Sequence, residues 1–157
     1  RRKIFAAVVC CLVLFLGVFY WIAFRQQAFH FQVDNLYQLA DGSIYFELVP
    51  SDKEDAINGI SYHEQISQNP SRCEIQMGYS LLSLWQSQTG TSNGRIYCFV
   101  RTPEPNADGT GYLPVYYTQG SSQLLIWDGE EKLPDAPDTV EQYAASTLSP
   151  FSIRNGF

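Results

Sequence analysis

Histidine is nearly missing from this sequence: His30 and His63 are the only two in 157 residues. Imidazole is the side chain that most often moves protons near neutral pH and the commonest protein metal ligand, so its scarcity removes many enzyme classes at once. The His-Glu-x-x-His zinc pattern is absent, as are the Gly-x-Ser-x-Gly elbow and the Ser-x-x-Lys pair. His63 stands beside Glu64, but successive strand residues point to opposite faces, so the two cannot cooperate. A Cys73 or Cys98 nucleophile would have to recruit His63 from another part of the fold. The segment Asn106 to Gly111 has oxygen atoms suited to calcium, yet it lacks the spaced carboxylates and closing Glu of an EF-hand and reads as turn chemistry. We therefore assign no catalytic residue, no metal ligand and no cofactor.

Cations are the second shortage. Four of the ten Lys and Arg residues lie at or before Arg25; the six beyond it (Lys53, Arg72, Arg95, Arg101, Lys132, Arg154) face all 16 acids, a net charge of 6 − 16 = −10. Such a surface is repelled by phosphate backbones, which argues against nucleic-acid binding and leaves proteins or neutral glycans as partners. The one Asn-x-Ser/Thr triplet, Asn69-Pro70-Ser71, is blocked by its proline, so no N-glycan is expected.

The third absence is local. From Ile4 to Phe24 there is no charged residue and no Asn, Gln, Pro or His. As a helix rising about 1.5 Å per residue, this run reaches roughly 31 Å, enough for a hydrocarbon core of about 30 Å. A cleaved signal would end in small residues, whereas this run ends Phe19-Tyr20-Trp21-Ile22-Ala23-Phe24, rings suited to the headgroup belt. A retained single span is expected. Arg1, Arg2 and Lys3 precede it and only Arg25 follows closely, which predicts a cytoplasmic N-terminus and a domain outside, tethered at the cell membrane. Cys10 and Cys11 lie within the run and lack the small residues that precede an acylated cysteine.

What remains is rich in aromatic and β-branched residues in alternating order, the pattern of an all-β domain. Phe29, Phe31, Val33, Tyr37 and Leu39 share one parity up to Asp41-Gly42, a pair suited to a two-residue type I′ turn. That turn would set Leu39 against Ile44 and Tyr37 against Phe46, leaving Tyr45 and Glu47 on the opposite face. Ser51 to Glu54 fits a capping box; Ile60 to Ile66 alternates as a strand with Tyr62 and Glu64 on one parity; Cys73 to Leu81 follows, with Gly78 a candidate bulge before Leu82, Leu84 and Trp85. This strand and Ile96 to Val100 read as a hairpin. Residues 103 to 111 form an exposed loop. Tyr112 to Thr118 and Gln123 to Asp128 flank Gly120-Ser121, a turn that sets Tyr117 against Leu124 and Val115 against Ile126. Asp138-Thr139-Val140-Glu141 is a second capping-box pattern, opening a helix whose Val140, Tyr143, Ala144, Thr147 and Leu148 form one face.

The predicted fold class is mainly β: a single transmembrane helix followed by a small antiparallel sandwich or barrel of about seven strands, with one or two short helices. Its divisions are a tail at 1–3, an anchor at 4–24, a β domain at 25–135, a helix at 136–149 and a flexible tail at 150–157. Cys73 and Cys98 are a candidate disulfide, as expected of a pair outside the cytoplasm. The order Cys73, Trp85, Cys98 invites comparison with immunoglobulin domains, but the two cysteines are too close in sequence for that pattern. Trp85, Trp127, Tyr112 and Tyr116 are candidate ligand-binding rings, provided that two of them are exposed and coplanar. The function expected is that of a membrane-tethered binding or accessory domain. The alternatives are a pilin-like structural subunit, whose helix would run on into the head, and an envelope hydrolase or transferase.

Overall fold

The computed structural model describes residues 2–28, 30–50, 60–68, 71–87, 94–119, 121–147 and 149–155. Helix α1 (Arg2–Phe24) contains a segment, Lys3–Phe24, that is long and apolar enough to cross a membrane, with mean hydropathy 2.6 and none of that stretch buried. The helix stops at Phe24. Only Arg25 separates it from strand β1 (Gln26–Ala28), so it does not continue into the head.

The remaining strands are β2 (Phe31–Gln38), β3 (Ile44–Pro50), β4 (Ser61–Gln68), β5 (Ser71–Ser80), β6 (Arg95–Arg101), β7 (Val115–Gln119), β8 (Ser122–Trp127) and β9 (Phe151–Asn155). They form two sheets, which decides for a sandwich over a barrel. One has four strands in the order β2-β3-β6-β9. The other has five: β5 pairs with β4 and, in parallel, with β7, which pairs with β8; β1 pairs with the end of β5. Phe31, Ile44, Phe46, Leu48, Tyr97 and Phe99 from the first sheet meet Cys73, Ile75, Met77, Val115, Tyr117 and Ile126 from the second in one buried core. Phe46 and Phe99 stack at 4.8 Å inside it.

A third layer lies on the outer face of the four-stranded sheet. Helix α3 (Asp138–Ser146) places Val140, Tyr143 and Ala144 on Leu39, Tyr45 and Cys98, as its helical spacing predicts. The approach is set by residues 134–136, which run beside the end of β2: Gln38 N donates to Pro134 O and Ala136 N to Gln38 O, both at 2.9 Å. A short helix α2 (Leu81–Ser87) follows β5.

Several local expectations are corrected. Gly42 has the positive φ foreseen, +84°, but Asp41 does not; the turn is a three-residue loop in which Leu39 N donates to Ser43 O and Gly42 N to Leu39 O. This is the type I turn plus left-handed glycine geometry. The register accordingly pairs Gln38 with Ile44 and Leu36 with Phe46, and an irregularity between Val33 and Leu36 shifts it again. Phe31, Val33 and Leu36 thus join the inter-sheet core, while Tyr37 and Leu39 turn toward α3. Gly78 is no bulge: it pairs regularly with both Ser61 and Ala28. Leu81 to Trp85 are helical, and β6 pairs with β3 and β9, so the hairpin expected between β5 and β6 does not exist. Residues 151–155, expected as a frayed tail, form β9.

Tyr117 does face Leu124, but a register shift after Val115 pairs that residue with Trp127. The capping box at Asp138 does not form; Pro137 is the N-cap, and Glu141 Oε1 instead accepts from Ala40 N at 2.7 Å, tying α3 to the β2–β3 loop. Ser51 to Glu54, Phe29, Leu148 and Gly120 of the expected β7–β8 turn lie outside the described residues.

Candidate functional site

The aromatic residues singled out from sequence separate into three places. Trp85 is on α2, 71% exposed. Tyr116 lies on the outer face of the five-stranded sheet beneath the Arg72 guanidinium, 5.4 Å from the ring centre. Tyr112 and Trp127 come together, ring centres 5.8 Å apart and planes tilted by 35°. They do not form an open platform, since Trp127 is 7% exposed against 45% for Tyr112.

This pair lines a cleft of about 440 Å³ between residues 103–113 and the loop after β8, with Gln38, Thr110, Glu130 and Lys132 at its walls. Both loops are held by their own polar atoms. Asn106 Oδ1 accepts from Thr110 N and Gly111 N, and Asp108 Oδ1 accepts from the Thr110 amide and hydroxyl. On the other side, Asp128 Oδ1 accepts from Glu130 N at 2.9 Å and Glu131 N at 2.8 Å, which holds its carboxyl below the usual range. Trp127 Nε1 donates to Glu131 O at 2.9 Å, fixing the indole. Gly129 makes the fit possible: its φ is +86°, and a Cβ there would fall 2.2 Å from Tyr112 O.

A second cleft, about 340 Å³, opens at the edge of the sandwich where the apolar core runs out. Phe46, Phe99 and Ile75 line it, and an ion pair between Glu64 of β4 and Arg101 of β6 joins the two sheets. Glu64 also accepts from Tyr62 Oη at 2.5 Å and from the Cys73 thiol at 3.8 Å. Burial pushes the Cys73 thiol up to about 11, with Glu104 and Glu74 adding to the effect, so it stays protonated near neutral pH. A protonated thiol is a poor nucleophile. Among the described residues neither cleft is lined by histidine.

The disulfide expectation is overturned. Cys73 and Cys98 are free, and they belong to different sheets: Cys73 faces the inter-sheet core, whereas Cys98 faces the opposite side of the four-stranded sheet, beneath α3. The layer of β6 and its neighbours stands between them.

Sequence reasoning also missed the most buried polar cluster. Glu47, 1% exposed, accepts from Tyr45 Oη at 2.5 Å, Asn35 Nδ2 at 2.7 Å and Arg154 at 2.5 Å. Burial pushes this carboxyl up, but the hydrogen bonds and the Arg154 charge outweigh it and leave it below the usual range. The available signal was composition: Ile-Tyr-Phe-Glu-Leu-Val is apolar on both parities, as in a strand covered on two faces. Glu47 and Glu64 are each matched by an arginine and a tyrosine hydroxyl from the fold, an arrangement that holds layers together.

No protein-family model, curated protein or solved structure matches this chain.

Proposed function

We propose that the chain is a single-pass, membrane-tethered binding or accessory domain whose β-sandwich lies outside the cytoplasm. The observation that carries the reading is α1: a segment of 22 residues with none of its apolar window buried, joined to an independently cored sandwich. Apolar side chains with no protein to cover them need lipid. The belt Tyr20, Trp21 and Phe24, with the Arg25 guanidinium 5.4 Å from the Trp21 ring, fits retention at a headgroup boundary, and the charge before and after the run supports the orientation. The ligand surface favoured is the Tyr112–Trp127 cleft, whose mixed apolar and polar walls suit a peptide or glycan segment of a partner. The pilin-like alternative loses its motivation, since α1 ends at Phe24.

Protease added to spheroplasts tests this directly. The sandwich should be digested while a membrane-bound fragment of α1 survives. A soluble chain that starts after residue 20, or a sandwich that is protected until the membrane is permeabilised, would overturn the reading.

A further inference from the structure

We infer that α2 is a second membrane contact, in which Trp85 sits in the headgroup interface of a zwitterionic bilayer beside the exit of α1. The inference rests on the proposed reading of α1 as a span. Its geometry comes from strand pairing. Only Arg25 separates α1 from β1, and Gln26 of β1 pairs with Ser80 of β5. Paired strands lie about 5 Å apart, so Ser80 is held next to the point where the chain leaves the membrane. Ser80 also starts α2: its Oγ accepts from Ser83 N at 3.1 Å, the geometry of a serine N-cap. The helix therefore begins at the bilayer surface, in contact with α1.

Charge agrees with that placement. No charged residue occurs between Glu74 and Arg95, and no acid between Arg25 and Asp34, in a region whose net charge is otherwise strongly negative. The uncharged segment is the part of the domain that can approach headgroups without repulsion or loss of ion hydration. Within it, Leu81 and Leu82 are half-buried, while Trp85 is exposed at 71%. An indole with an apolar body and a donor edge is the side chain that favours this boundary. Two contacts, span and α2, would limit rotation of the sandwich about the single residue that joins it to α1.

The test uses the full chain in phosphatidylcholine vesicles, with and without bromine on the upper acyl carbons as a short-range quencher. Trp21→Phe leaves Trp85 and the buried Trp127; the Trp21→Phe/Trp85→Phe chain gives the Trp127 background. The expected result is loss of Trp85 emission with upper-chain bromine and a smaller loss with bromine near the chain ends. Emission unaffected by either lipid would overturn the inference and leave α2 to water or to a protein partner. Stronger quenching from the chain ends would also overturn it, by placing the helix inside the hydrocarbon. If Trp21→Phe disturbs insertion, comparing the native chain with Trp85→Phe gives the same decision. Alkaline extraction of the same vesicles separates the two readings: a chain that stays with the lipid while Trp85 is unquenched refutes only the α2 contact, and a chain that is extracted unquenched refutes the span as well.

Discussion

The two sheets share one core, but their outer faces differ. On the five-stranded sheet that face carries exposed Gln65 and Gln123, half-buried Arg72, Gln76 and Tyr116, and Glu74, which is 7% exposed beneath the Gln65 and Arg72 side chains that donate to it. On the four-stranded sheet it carries Leu39, Tyr45, Glu47 and Cys98, all buried under α3 and Arg154. The consequence for sequence reading is direct. Where the outward side chains are polar, as in β5, apolar and polar residue types alternate cleanly; where both faces are apolar and covered, as in β3, the alternation disappears and a buried acid looks like a surface one. The difference also predicts where ion pairs matter: a desolvated carboxylate that loses its cation is left uncompensated, whereas one near water is rehydrated.

The sharpest way to break this comparison is Arg154→Ala. It leaves Glu47 buried with two neutral donors and should lower unfolding stability by about 3 kcal/mol, read from urea denaturation. A loss no larger than that of Arg72→Ala would mean that water reaches Glu47. Next is Tyr143→Ala on α3, which removes the ring packed edge-on to Tyr45 and the hydroxyl contact with Ser152. Because this ring is half-buried, a loss of about 2 kcal/mol is expected, below the range for a fully buried aromatic.

Acid gives a third test. Glu47 and Glu74 both have folded-state pKa values below the ordinary carboxylate value of 4.5. For Glu74 the largest cause is the hydrogen bond from Gln65, aided by Arg72. A depressed folded pKa means stability that is full above the unfolded value and is lost as pH falls through the folded one. The urea midpoint should therefore fall below about pH 4.5. In Arg154→Ala the Glu47 carboxyl loses its cation, so the acid decline should begin at higher pH; an unchanged profile would assign it to other carboxylates.

Smaller effects follow. Glu141→Ala removes the acceptor that binds the Ala40 amide and should cost about 1 kcal/mol, with faster amide exchange in the β2–β3 loop as its local sign. Arg72→Ala removes the half-buried cation from Glu74 but leaves the Gln65 donor in place, and should cost about 1 kcal/mol, less than Arg154→Ala, by the same urea denaturation.

The uncharged run at 4–24, the predominance of strands, the antiparallel pairing of β7 with β8 and the apolar face of α3 were all legible in the sequence. Each depends on near neighbours: an apolar run is a run in any fold, and alternation and turn chemistry act within a few residues. Partner choice among distant strands was not legible. The parallel pairing of β5 with β7 and the placement of β6 between β3 and β9 depend on which faces fill the same core, and no local pattern encodes that. From these non-local choices come the separation of Cys73 from Cys98 and the ordering of residues 151–155 as a strand, whereas Tyr112 meets Trp127 through the local β7–β8 pairing. The sequence by itself determined that the chain has an apolar helix and a β domain; tertiary packing decided which side chains meet, because burial of shared surface, acting across the whole chain, selects among pairings that local preferences leave equal.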